Sequence, residues 1–379
     1  VRILRVADVP DSRTGGMTRF MHLAGDELVA SGHPVGFLFR DDLDRRTPPR
    51  LRRVVVPWRV VQRVRGLAAR GERYDVAEVH EPIAAGYVLA RRLDPTLPPC
   101  VVVSYGLEGR GHVAQLAYLW ANGDRVTLKQ RFGHSPVIAQ AALAVRLADH
   151  VTVETTEDVA YLRRRHGLPA DRITIVNGGV SQAFLTAGPL PADARGVLFL
   201  ASWIDRKGIR EAVTAMTAVA DRFPDLPLTV AGCGVGEGVV RAAFPPAVRG
   251  RVCVRPVIYG ETDLLALYRR HAVFLTPSVF EGQLLTMLEG AAAGLAVVAT
   301  DTCGMRDFLR HGVTGLKVPV GDAAALTAAT LRLVAEPAAA RRLGEAAQVD
   351  ARQYTWKRSA EQFLTAAEAA IRHARRRHR

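Results

Sequence analysis

Short apolar runs rich in β-branched residues recur along the whole chain, and between them lie longer stretches whose apolar positions return at helical spacing. The first pattern predicts strands buried on both faces, the second the helices that cover them. In the first half, strands are predicted at residues 2–6, 35–39, 54–56, 76–79, 101–104, 151–154 and 173–176, with helices at 18–30, 83–92, 136–148 and 156–166. The second half begins the alternation afresh, with strands predicted at 197–201, 228–231, 252–255, 273–276, 296–299 and 315–318, then helices at 323–335, 338–351 and 356–376. Such alternation builds parallel sheets from βαβ units. Asn177, Gly178 and Gly179, followed by Gly188, Pro189 and Pro191, interrupt it and read as a linker. The expected fold is therefore α/β. Two Rossmann-like doubly wound domains, 1–183 and 184–357, face a central cleft, and a C-terminal helix, 358–379, returns toward the first. Open parallel sheets bind ligands beyond the carboxyl ends of their strands.

Composition narrows the class. With 379 residues, 49% hydrophobic and 23% charged, the chain has the make-up of a folded protein of about two domains. No stretch approaches the roughly 20 apolar residues of a membrane span. The first residues form a strand-like run carrying Arg2, Arg5 and Asp8 rather than an export signal. Cys100, Cys233, Cys253 and Cys303 include no C-x-x-C, so neither zinc nor a redox pair is suggested, and the cytoplasm is the expected compartment. The net charge of +14 comes almost wholly from arginine, since only Lys129, Lys207, Lys317 and Lys357 among the 51 basic residues are lysines. Spread over both halves and shaped by a GC-rich, bacterial type of codon usage, it is no basic tail. Aromatic content of 6% and the lack of a recognised module argue against nucleic acid. The charge allows a peripheral contact with an anionic membrane, although no strongly amphipathic basic helix stands out before Arg372. Oligomeric state is not legible.

The segment from Pro277 to Val298 carries the most chemistry. An apolar strand ends at Thr276, a loop holds Glu281 and Gly282, and a helix then begins. Unpaired amides at a helix start welcome an anionic or hydroxyl-rich ligand near Gly282, Gln283, Leu284 and Leu285. Glu289, leaning back along the helix, points toward the same end. Two carboxylates so placed suit sugar hydroxyls, and an equally simple account makes Glu281 a helix cap and Glu289 a solvated residue.

These residues resemble the E-x7-E segment of retaining glycosyltransferases of the GT-B fold, in particular glycosyltransferase family 4. The likeness continues through residues 299–307 and 312–319 and covers most of 150–363. It implies that Glu281 contacts the donor sugar, that amides of Gln283, Leu284 and Leu285 hold sugar hydroxyls, and that Glu289 binds the ribose. Leu284 and Thr286 stand where the family usually has glycine and often proline. The stretch from Leu200 to Gly208 is similar to the family's phosphate-binding turn, with Lys207 at the lysine position and Ser202 in place of arginine. Arg206 is the candidate to restore that charge, although a neighbour of Lys207 is expected to point elsewhere. Gly15 and Gly16, after the first strand, resemble the family's first-domain glycine loop.

Two more sheet ends, at His80 and at Tyr105, face the same way, and Tyr105 stands where many relatives have histidine. A phenol donates a hydrogen bond but is no acid or base near neutral pH, which leaves His80 as the spare candidate. Backbone groups around Val257 and Ile258 are implied to meet the base. The resemblance thus implies metal-free, cofactor-free transfer of a sugar from a nucleoside-diphosphate sugar to a hydroxyl acceptor on a polysaccharide, glycolipid or natural product. A sugar-nucleotide epimerase or phosphorylase on the same scaffold, or a basic protein binding anionic surfaces, are the alternatives. Acceptor contacts are expected from residues 40–53 and 106–135.

Overall fold

The computed structural model describes residues 1–13 and 16–377. The chain divides into two compact units. Unit 1 comprises Val1–Leu116, Val126–Gly178 and Trp356–Arg379, and unit 2 comprises Ala117–Arg125 and Gly179–Thr355.

Unit 1 holds six parallel strands, β1 (Ile3–Val6), β2 (Val35–Leu38), β3 (Val76–His80), β4 (Cys100–Val103), β5 (His150–Val153) and β6 (Ile173–Ile175), in the order β2-β1-β3-β4-β5-β6. Alternation along β1 sends Leu4 and Val6 into the main core with Val79, Val102 and Val151. Arg5 therefore faces the other side, where the register sets it beside Glu78 of β3. Both side chains are buried, with Arg5 Nε 2.6 Å from Glu78 Oε2. The guanidinium also donates to the Met21 carbonyl and lies 4.2 Å from the centre of the Phe363 ring. Phe363 belongs to the last helix, Trp356–Arg377, which packs in unit 1 against the Gly16–Ala30 helix. A buried ion pair thus joins four elements, some of them distant in sequence.

Unit 2 repeats the plan with β7 (Val197–Leu200), β8 (Leu228–Ala231), β9 (Val252–Arg255), β10 (Val273–Thr276), β11 (Ala296–Thr300) and β12 (Leu316–Val318), ordered β12-β11-β10-β7-β8-β9 and all parallel. Val197, Phe199, Val273, Leu275, Ala296 and Val298 fill one face of this sheet. Leu198, Phe274, Val297 and Ala299 fill the other, so apolar runs without alternation are what a doubly covered sheet requires. The last turn of the Glu108–Ala121 helix clusters with this unit, where the Tyr118 hydroxyl donates to Glu211 at 2.9 Å.

One predicted element has the wrong type. Residues 54–56 are not a strand but lie inside the helix Pro49–Ala69. Val56, Val60, Val64 and Leu67 recur at helical spacing and enter the unit 1 core, and that longer period outweighs a run of three valines. Prolines at the start suit a helix N-terminus, whose amides lack internal partners. Pro57 in the interior cannot bond the carbonyl of Arg53, and Gln140 Nε2 donates to that carbonyl at 2.8 Å instead.

Candidate active site

In each sheet the strand order reverses once beside the first strand of the unit, between β1 and β3 and between β7 and β10. The chain leaves neighbouring strands in opposite directions there and opens a crevice, the place where doubly wound sheets bind ligands.

In unit 2 two segments meet at this point. After β7 the chain makes a tight 3-10 turn, Asp205–Lys207, which ends at Gly208 in the left-handed region with φ +69°. Gly208 lies so close to the segment after β10 that a Cβ would stand 2.0 Å from the Pro277 carbonyl oxygen. A side chain is excluded twice, by φ and by space. The Val279 amide then donates to the Arg206 carbonyl at 2.8 Å, which stitches the segments together. Lys207 Nζ consequently sits 2.5 Å from Glu281 Oε1, and Arg206 Nη1 lies 3.1 Å from Glu281 Oε2 and 2.8 Å from the Phe280 carbonyl oxygen. The expectation that Arg206 points away from Lys207 is corrected: the segment after β10 lies against the turn, and the two long side chains reach the two oxygens of one carboxylate from either side. Two cations around one anion leave a net positive site.

The segment Gly282–Leu284 then enters the helix Leu285–Ala292, whose N-terminus no side chain caps. Glu281 is therefore not a cap, and the first amides remain available to a ligand. The loop is propped from below. The Gly304 amide donates to the Gly282 carbonyl at 3.2 Å, and a Cβ on Gly304 would come within 2.6 Å of that oxygen. Thr300 Oγ1 donates to the Ser278 carbonyl at 2.5 Å. Gln283 is buried and Leu284 and Leu285 are half-buried. Glu289 is only 2% exposed, which rules out a solvated position, and it accepts from the Tyr268 hydroxyl at 3.3 Å. Ser202 is exposed and its hydroxyl has no protein partner among the described residues. Val257 and Ile258 lie between β9 and the Glu261–Arg269 helix and form no bond with the Lys207 and Glu281 pair. Gly15 lies outside the described residues. Gly16 opens the Gly16–Ala30 helix with free space where a Cβ would be.

Unit 1 has a cavity of about 260 Å³ at its own strand-order reversal, lined among others by Asp8, Arg53, His80, Glu81, Glu108 and His134. Glu81 Oε1 accepts from Ser104 Oγ at 2.7 Å and from the Glu108 amide at 3.1 Å. Burial outweighs these bonds and pushes the Glu81 carboxyl up to about 8. His80 goes the other way, since burial first and the Arg5 charge second push it down to about 3. Its ring centre is 4.6 Å from that of Tyr105, whose phenol is raised by burial. His80 is thus neutral near pH 7, and so is Tyr105, which leaves neither able to serve as a charged acid. Glu81 is the carboxyl of the cavity that burial raises. It stands one residue after the histidine singled out from sequence. The visible signal was a carboxylate directly after a strand with a serine closing the next one.

These two sheets and their crevices define a protein of two doubly wound α/β units, and comparison with known proteins makes the class definite. Residues 14–184 match the family model "Glycosyltransferase Family 4", and residues 194–336 match "Glycosyl transferases group 1". The chain belongs to this glycosyltransferase family and is a glycosyltransferase enzyme. It is 26% identical to a glycogen synthase of Mycobacterium tuberculosis, covering 92% of this chain and 89% of that protein. It is 27% identical to a D-inositol 3-phosphate glycosyltransferase of Mycobacterium bovis, covering 94% and 79% respectively. Among solved structures, sucrose-phosphate synthase from Thermosynechococcus elongatus superposes with a TM-score of 0.76 at 21% identity, over 96% of this chain and 98% of that one. Anabaena HepE in complex with UDP gives 0.67 at 15% identity, again over 96% and 98%. Both have the two-sheet GT-B fold that this chain shares.

Proposed function

We propose that the protein is a retaining glycosyltransferase that moves a sugar from a nucleoside-diphosphate sugar to a hydroxyl acceptor. The observation that carries this reading is the Lys207, Arg206 and Glu281 cluster at the unit 2 strand-order reversal. Its net positive charge suits a diphosphate, and its carboxylate suits the hydroxyls of the sugar. Lys207 and Arg206 meet the phosphate oxygens and stabilise the charge that grows as the bond to the anomeric carbon breaks. No metal or other cofactor takes part, because these cations stand where a divalent ion would otherwise neutralise the leaving group. The amides of Gln283 to Leu285 hold sugar hydroxyls, Glu289 takes the ribose, and the backbone around Val257 and Ile258 meets the base. The acceptor oxygen bonds to the anomeric carbon on the face the diphosphate leaves, and its proton passes to a departing phosphate oxygen.

The acceptor occupies the unit 1 cavity, with Glu81 as the group that binds its hydroxyls. Glu81, protonated at neutral pH, donates to an acceptor oxygen, and the apolar wall of Met17, Ile83 and Val137 carries the acceptor's less polar side. HepE is in complex with UDP, so uridine nucleotides are the first donors to try. A thermal-shift screen of nucleoside diphosphates, followed by transfer assays with the matching nucleotide sugars, tests the reading. Stabilisation by one diphosphate and inversion-free product is the expected result. A product formed from the nucleotide sugar with no acceptor present would assign an epimerase or phosphorylase activity instead.

A further inference from the structure

The helix Pro49–Ala69 carries an anomaly on the side away from the core. Val56, Val60, Val61, Val64 and Leu67 face inward. On the opposite face, where a surface helix normally shows charge, stand Leu51, Val54 and Trp58, exposed by 55%, 63% and 51%. Their spacing of three and then four residues places them on one stripe. The helix contains no acidic residue, and Arg50, Arg59, Arg63 and Arg65 flank the stripe, while Arg52 and Arg53 line the unit 1 cavity.

Beside this crest lies a cleft of about 700 Å³ lined by Arg45, Arg46, Arg59 and Arg63. Its two carboxylates are already engaged, Asp41 by Arg45 at 3.8 Å and Asp44 by several donors. Thr47 Oγ1 donates to Asp44 at 2.5 Å, the Arg46 and Thr47 amides at 2.8 and 3.0 Å, and Arg59 at 3.3 Å. Neither Arg46 nor Arg63 has an ion-pair partner among the described residues. An apolar crest with a rim of cations that never deprotonate is complementary to one kind of surface, a bilayer with anionic headgroups. Leucine, valine and tryptophan enter the boundary of the acyl chains, and the arginines take lipid phosphates. No helix among the described residues is long and apolar enough to cross a membrane, so the contact is peripheral.

We infer that the protein docks on anionic membranes through Leu51, Val54 and Trp58, with the Arg46 and Arg63 cleft as its headgroup site. The strand expected at residues 54–56 concealed this helix, and with it the amphipathic basic element that the sequence alone did not show.

Co-sedimentation of the full chain with vesicles tests the inference, and it uses no substrate, so its failure leaves the transferase reading untouched. Vesicles containing phosphatidylglycerol should bind at least about tenfold more tightly than pure phosphatidylcholine, and added salt should weaken the binding. The triple variant Leu51→Ser, Val54→Ser, Trp58→Ser should lose about tenfold in binding at unchanged thermal stability. Arg46→Gln with Arg63→Gln should abolish the preference for anionic lipid while retaining weak binding. Equal binding to both lipids, or a triple variant that binds like the parent, overturns the inference. A dimer seen by light scattering that the triple variant dissolves, without vesicle binding, assigns the crest to a second copy and overturns it too.

Discussion

The two units build the same sheet and open it at the same topological place, yet they fill the opening with opposite electrostatics. In unit 2 the carboxylate of Glu281 is held between Lys207 and Arg206, charged groups in contact with charged groups. In unit 1 the carboxyl of Glu81 has a serine hydroxyl and an amide but no cation, and burial keeps its proton on. A site meant for a leaving diphosphate needs fixed positive charge, whereas a site for a hydroxyl acceptor carries no such charge requirement. In the proposed reading, one fold serves both ends of a group transfer through different residues after the strands.

The largest effect expected from breaking this contrast is on unit 2. Lys207→Ala should lower turnover by roughly a hundredfold to a thousandfold, the cost of losing one preorganised charge in a transition state, while the melting temperature changes little. Wild-type-like transfer rates would remove Lys207 from the mechanism. Next comes the scaffold of the same site. Gly208→Ala forces a side chain onto the Pro277 carbonyl at a positive φ and should destabilise by about 1–3 kcal/mol in denaturant titrations, with weaker donor binding. Glu289→Ala should weaken nucleotide binding by about tenfold, since a buried hydrogen-bonded carboxylate is lost, and calorimetry would reveal it.

The smallest effects fall on unit 1 and are read through pH. The Glu81 carboxyl has its ordinary value near 4.5 when unfolded and about 8 when folded, so between these values the folded state holds the extra proton. The associated stability is fully present below pH 4.5 and is lost as pH rises through about 8. Glu81→Gln should remove that decline in a series of thermal melts, and it should also remove the rise in acceptor KM on the alkaline side. His80 has the inverse sign. Its imidazole falls from 6.5 to about 3 on folding, so the stability it contributes is lost as pH falls through that interval. His80→Gln should flatten the acid side of the melt series and leave the alkaline side unchanged.

The two units also differ in how much of them was legible. In unit 2 the site lies in two contiguous segments with Glu281, Glu289 and Lys207 at set spacings, and each stands where the sequence put it relative to its strand or turn. What escaped was Arg206, because its convergence with Lys207 on one carboxylate depends on the segment after β10 packing against the turn, and no local pattern in the turn shows that. In unit 1 the strands were legible from their apolar runs, but the cavity draws on residues from Ala7 to Gln140, which no local pattern unites. His80 stands out in the sequence as a histidine, whereas burial lowers it and raises the carboxyl of the neighbouring Glu81. Residues 54–56 were misread because a run of three valines is strand-like by propensity, and only the wider period through Val60, Val64 and Leu67 reveals the helix.

The central claim is that the cations at the unit 2 crevice hold a nucleoside diphosphate. Calorimetric titration of UDP into the wild-type protein and into Lys207→Ala tests it most directly. The account predicts saturable one-to-one binding by the wild type and at least about tenfold weaker binding by the variant, as expected for loss of a charge-assisted contact. Equal affinity in the two proteins would contradict it.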